Sequence, residues 1–378
     1  MKKKVFDIIK KVVASVVFLA ILFTGLAQLS YLFRYEEKDK SISILSHFYA
    51  EEKNTADIVM IGSSATYRYY IPALMYHETG MSSILFSYPA FPFEAIKDGI
   101  DEVNKTQKPK LYILELRRLF HILYTRDNGS LFKDTTIATN TSYLSGLINS
   151  MPVSLNRAQM INKTITTYTN DDELDWQFDY MRTHNNWKDL KLNDIIVYLN
   201  NHFLKRDEYK EQGKNVYKIS RTSTHVEPMV KPDFSKYKAQ VKLTEEDLKP
   251  LNELIDFIRK ENLNVLFVST PYPIPEIAYA YENLLQDYLK EQGMNYIDCN
   301  EYYDEIGLNF PTDFYDEKHT NLAGSIKFTK FISSYILDNF DLKPSELSEK
   351  MKKEWDNAYT LWYDEVAVPG LEKINNAK

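Results

Sequence analysis

Ala56-Asp57-Ile58-Val59-Met60-Ile61-Gly62-Ser63-Ser64 is the stretch on which the reading of this chain turns. Its apolar run is too short for a helix and lacks the alternation of a half-exposed strand. It therefore reads as a strand buried on both faces of a parallel sheet, closed by glycine and a pair of serines. Working outward, similar runs occur at Ser82–Ser87, Lys110–Leu116, Asn264–Thr270 and Met294–Asp298. Helical patterns separate them: Ala95, Ile96, Ile100 and Val103 on one face of a turn, then Thr244–Glu261, then Pro275–Gln292. Buried strands alternating with helices predict an α/β domain, a mostly parallel sheet with helices on both faces.

The flanks differ from this rhythm. Lys2, Lys3, Lys4, Lys10 and Lys11 precede an uncharged run from Val12 to Phe33. At about 1.5 Å per residue the run spans about 33 Å, against a bilayer core of roughly 30 Å. This predicts a cytoplasmic tail (1–11) and a single-pass transmembrane anchor (12–33), with the rest of the chain outside the cytoplasm. A cleavable signal peptide, with Gly25 and Ala27 at its cleavage site, is the rival reading; Leu29, Tyr31, Leu32 and Phe33 extend the apolar run past that site. Residues 34–55 read as a juxtamembrane linker or helix, and 56–343 as the α/β domain. Within it, about 119–237 is polar, rich in Thr and Asn, and dotted with Trp176, Trp187 and tyrosines, the pattern of an insertion. Residues 344–378 carry Trp355, Tyr359, Trp362 and Tyr363 on a charged background and predict a helical appendage.

Composition narrows the function classes. Of 378 residues 44% are hydrophobic, enough for a large core, and the net charge of −7 with no basic stripe excludes a nucleic-acid binder. The single cysteine, Cys299, rules out an internal disulfide, and no His/Asp/Glu cluster has metal-ligand spacing, so neither cofactor nor metal is expected. The 28 tyrosines and 20 phenylalanines fit either half-buried packing or a groove for sugars.

Chemistry concentrates in two places. In an open α/β sheet, ligands bind beyond the carboxyl ends of the strands, which is where Gly62-Ser63-Ser64 lies. Backbone N–H groups at the following turn could face a developing oxyanion. A serine pair after a strand also serves as a helix N-cap, so this signal is weak alone. The second place is Pro311-Thr312-Asp313-Phe314-Tyr315-Asp316-Glu317-Lys318-His319-Thr320-Asn321-Leu322-Ala323-Gly324. Asp316 three residues before His319 can hold the imidazole Nδ1–H, leaving Nε2 to take a proton from serine. Alone, that pair could equally be a surface or capping contact.

Together, Gly62-Ser63-Ser64 and Asp316 to His319 resemble the SGNH (GDSL-type) hydrolase superfamily, and with the N-terminal anchor the chain is most similar to its membrane-anchored, DltD-like subgroup. The resemblance spans about 56–337 as topology. It implies a three-layer, flavodoxin-like parallel sheet and a Ser-His-Asp set: Ser64 as nucleophile, with Ser63 the alternative, His319 as base and Asp316 orienting it. The family's asparagine block is missing; the corresponding strand end reads Glu115-Leu116-Arg117-Arg118, and the second block, Ser87-Tyr88-Pro89-Ala90, lacks its glycine. Gly62, Ser63, Tyr88, Thr270 and Tyr272 become oxyanion or pocket candidates on this reading. Arg117 and Arg68 are either cationic substitutes for the missing donors or ordinary salt-bridging arginines. The implied activity is acyl transfer or ester hydrolysis on a cell-envelope glycan or teichoic-acid polymer, beside a multi-span membrane acyltransferase. A generalist extracellular esterase and a non-catalytic glycan-binding or assembly scaffold are the alternatives.

Overall fold

The computed structural model describes residues 2–33, 42–119 and 221–376, together with 123, 143–144, 146–148, 150–152, 154–168, 176–177, 192, 196 and 218. The chain divides into two units, Met1–Lys40 with Ile148–Gln212, and Ser41–Leu147 with Gly213–Lys378.

The first unit contains α1 (Lys2–Phe33), a helix of 32 residues. Among the described residues no helix is long and apolar enough to cross a membrane. The structure therefore does not support the expected 12–33 span. Val12, Val16, Phe18 and Ile21 on this helix are exposed.

The second unit is α/β. A short helix, α2 (Ile42–Ala50), lies where a linker or helix was expected, and its buried Phe48 meets Phe86 edge-on at 4.9 Å. β1 (Ile58–Gly62) leads into a single turn, α3 (Ser64–Tyr67), and then α4 (Pro72–Thr79). β2 (Ser83–Ser87), α5 (Ile96–Val103) and β3 (Leu111–Glu115) follow. Most of the expected insertion at 119–237 lies outside the described residues; its clearest element is α6 (Leu155–Tyr168), in the first unit. The α/β pattern resumes with α7 (Glu245–Lys260), β4 (Val265–Ser269), α8 (Glu276–Glu291) and β5 (Asn295–Asp298).

The five strands form one parallel sheet in the order β2-β1-β3-β4-β5, flanked by helices. Every expected strand is present, because β1 to β4 are buried at each position and only a fully apolar run suits that setting. Start signals explain the helices. Thr244 and Asp247 form a reciprocal capping box at α7, whose first turn is acidic and last turn basic. The strand order reverses direction at β1, placing a crevice between the carboxyl ends of β1 and β3.

After β5 come α9 (Tyr303–Ile306), β6 (Phe314–Asp316), β7 (His319–Thr320) and α10 (Leu322–Asn339). The C-terminal segment forms α11 (Glu349–Trp362), a π-helical turn, and α12 (Val368–Asn376). Trp362, Ala367 and Ile374 from this segment bury against Ile71, Leu74 and Leu322. It thus packs on the helices that immediately follow the two site motifs.

Candidate active site

The turn after β1 is shaped by close approach. A Cβ on Gly62 would lie 2.3 Å from Thr66 Oγ1 and 2.7 Å from Glu115 Cβ, so only glycine lets β1 end against β3. Ser63 then occupies the N-cap position of α3 in extended conformation, yet its side chain makes no capping bond. Instead its buried hydroxyl donates to Glu115 Oε2 at 3.4 Å. Ser64 opens the turn and points the other way.

Asp316-Glu317-Lys318-His319 is not a plain loop before a helix. It is a two-residue hairpin between antiparallel β6 and β7, in which Asp316 pairs directly with His319. Directly opposed residues bring their side chains to contact distance. His319 Nδ1 sits 2.8 Å from Asp316 Oδ1 and 2.9 Å from Oδ2, and the Lys318 N–H donates to Oδ1 at 2.8 Å. On the other side of the ring, His319 Nε2 lies 2.7 Å from Ser64 Oγ. Ser64, His319 and Asp316 thus form one continuous chain of hydrogen bonds.

α10 anchors the hairpin. Asn321 caps it, accepting from the N–H groups of Ala323 and Gly324, while its Nδ2 donates to the Thr312 carbonyl at 2.7 Å and the His225 carbonyl at 3.1 Å. A Cβ at Gly324 would fall 2.4 Å from the Asp313 carbonyl oxygen, so glycine there allows the helix to press on the loop that carries Asp316.

Arg117 fixes the hairpin from the sheet side. One guanidinium nitrogen donates to the Lys318 carbonyl; the other donates to Thr270 O at 3.0 Å, Thr270 Oγ1 at 2.7 Å and Tyr69 OH at 3.1 Å. The group stacks over Tyr272 at 4.2 Å and Tyr69 at 5.1 Å. Tyr69 in turn donates to the carbonyls of Pro271 at 2.7 Å and Lys318 at 3.1 Å. Arg117, Thr270 and Tyr272 are therefore brought together as a buried brace between the ends of β3 and β4 and the histidine hairpin. Tyr88 is buried, its backbone N–H donating to the Gly62 carbonyl at 3.3 Å and its hydroxyl where a methyl group on Gly146 would fall. Arg68, at the end of α3, lies with its guanidinium 4.2 Å over the Tyr315 ring.

Electrostatics suit a neutral base beside a charged orienter. Burial pushes the His319 imidazole below its ordinary value; the Asp316 hydrogen bond and charge pull it up, and the charges of Arg117 and Arg68 push it down again, leaving it lowered. Burial pushes the Asp316 carboxyl up, but the His319 hydrogen bond and charge outweigh this and hold it below the usual carboxylate range. Glu115, wholly buried, is pushed up to about 7 by burial, against the charge and N–H of Arg117 and the Ser63 hydroxyl. Neither the Ser64 nor the Ala65 N–H has an acceptor among the described residues. Two donors beside Ser64 Oγ are what an oxyanion formed there would need.

No family model matches this chain, and no curated protein is similar to it. Sequence reasoning missed Tyr69, Tyr315 and the roles of Glu115 and Asn321. No local pattern distinguishes a tyrosine that braces a hairpin across the sheet from any other buried tyrosine. Asn321 did carry a signal: an Asn at the start of an apolar helical run is a cap. Among the described residues no three His, Cys, Asp or Glu side chains converge as a metal-binding group.

Proposed function

We propose that the protein is a serine acyltransferase or esterase of SGNH type, with a three-layer, flavodoxin-like fold and Ser64, His319 and Asp316 as its catalytic residues. The observation that carries this reading is the 2.7 Å contact of Ser64 Oγ with His319 Nε2, continued at 2.8 Å to Asp316. His319 takes the serine proton as Ser64 Oγ attacks an acyl carbonyl; Asp316 keeps Nδ1 protonated and steadies the imidazolium. The oxyanion of the tetrahedral intermediate accepts from the N–H groups of Ser64 and Ala65. Its collapse breaks the ester bond, and His319 returns the proton to the departing alcohol. Water or a sugar hydroxyl then attacks the acyl-serine, giving its proton to His319; collapse breaks the acyl–Ser64 bond, and His319 returns the proton to Ser64 Oγ.

The substrate proposed is an acyl or D-alanyl ester of a cell-envelope glycan or teichoic-acid polymer, handled outside the cytoplasm beside a multi-span membrane acyltransferase. The basic tail and the uncharged run of Val12–Phe33 support an N-terminal membrane anchor for this role, as do the exposed apolar side chains of α1. The arrangement around Ser63 favours Ser64 as nucleophile, because the Ser63 hydroxyl is turned towards Glu115.

The test is covalent labelling of the full chain by a fluorophosphonate. Labelling should vanish in Ser64→Ala and persist in Ser63→Ala. Undiminished labelling of Ser64→Ala would overturn the assignment by pointing to another nucleophile, and no labelling of the wild type would overturn it in favour of the scaffold reading.

A further inference from the structure

Arg68 is a cationic residue of the sequence motifs that neither the hydrogen-bond chain nor the brace uses. Its backbone is tied down: its N–H donates to Ser64 O at 3.1 Å and its carbonyl accepts from Ser325 Oγ at 2.6 Å. The side chain thus leaves a fixed point, one turn past the nucleophile. Its guanidinium lies flat enough on Tyr315 to sit 4.2 Å from the ring centroid, and Tyr315 immediately precedes Asp316. Stacking holds a guanidinium in one plane; the Tyr67 hydroxyl accepts a hydrogen bond from Arg68, and the guanidinium has five N–H donors in all, so others are left for a further partner.

The environment gives this cation no acid to spend itself on. Among the described residues Arg68 has no carboxylate within ion-pair distance, although exposed lysines of the same unit, such as Lys231 with Asp304 and Lys236 with Asp233, do. Asp316 is near enough to be influenced by Arg68, but both its oxygens are committed to His319. The Arg68 guanidinium also flanks the Tyr67 ring at 6.0 Å. Planar guanidinium groups match phosphate and carboxylate oxygens two at a time.

We propose that Arg68, stacked on Tyr315, is an anion-binding subsite beside Ser64, so that the substrate carries a phosphate or carboxylate close to its reacting ester. The inference builds on the acyl-transfer reading but is tested apart from it. Binding is measured by titration calorimetry on the full chain carrying Ser64→Ala, with glycerol 3-phosphate, glucuronate and glycerol as ligands. Glycerol 3-phosphate or glucuronate should bind and glycerol should not; the tighter of the two anions identifies the group. Adding Arg68→Gln should weaken anion binding at least tenfold at unchanged thermal midpoint, with Arg68→Lys intermediate because an ammonium cannot pair bidentately. Anions binding no better than glycerol, or as tightly to both Arg68 variants, would overturn the subsite. Fluorophosphonate labelling of the chain with native Ser64 decides the catalytic reading independently, whichever way the calorimetry falls.

Discussion

Replacing Gly62 by alanine tests how closely the nucleophile turn is packed. The added Cβ would lie 2.3 Å from Thr66 Oγ1 and 2.7 Å from Glu115 Cβ, where ordinary contact begins at 3.4 Å. Neither neighbour yields easily. Thr66 is β-branched and buried, and Glu115 Cβ is set by the backbone of β3, which is paired to β1 and β4. Relief requires β1 to move by about 0.7 Å from β3, at a cost towards the upper end of the ~1–3 kcal/mol typical of overpacking. The movement falls on the backbone that carries Ser64, so its 2.7 Å contact with His319 opens. Misplacement on that scale slows a positioned reaction by up to about a hundredfold. Thr66→Ala should rescue part of both losses, because Thr66 Oγ1 is buried without a hydrogen-bond partner among the described residues and its removal costs no bond. The measurements are urea unfolding and the rate of fluorophosphonate labelling for Gly62→Ala, Thr66→Ala and the double variant. A Gly62→Ala protein with unchanged midpoint and labelling rate would refute the reasoning.

Other outcomes follow from the same geometry. Because the His319 imidazole is held below its ordinary 6.5, the labelling rate should fall on the acid side with a midpoint below that value. Asp316→Asn should slow labelling by about 10²–10⁴-fold, through loss of the carboxylate that sets the tautomer; a variant within twofold of wild type would contradict that role. Glu115, raised to about 7, keeps in the folded state a proton that the unfolded chain loses near 4.5, so its contribution is full below 4.5 and is lost as pH rises through 7. The loss is on the order of 3 kcal/mol, and Glu115→Gln should flatten the pH dependence of the urea midpoint over this window. Trp362→Ala should cost about 3–5 kcal/mol in the same unfolding assay, since the fully buried ring packs on Ile71, Leu74 and Leu322.

The α/β architecture was legible because a strand buried on both faces must be apolar throughout, and Ile58–Gly62, Leu111–Glu115 and Val265–Ser269 are nearly so. The pairing of Asp316 with His319 was also legible, three residues being a local separation. The oxyanion candidates were not. Arg117 could be named from its place after β3, but whether it faced substrate or structure depended on Thr270, Tyr69 and Lys318, which lie far away in sequence.

By itself, the sequence determined which segments are the strands of the parallel sheet, which serine pair closes the first of them, and which histidine has an acid beside it. These are local matters, set by hydrophobic period, glycine and side-chain reach. Only the tertiary structure decided that Ser64 and not Ser63 meets His319, that Arg117 braces the hairpin, and that Arg68 is left at the rim without an acid. The physical reason is that a parallel sheet carries its chain back to the same edge after every crossover. Residues 255 positions apart thereby come within a hydrogen bond of each other, and nothing short of the folded chain encodes that meeting.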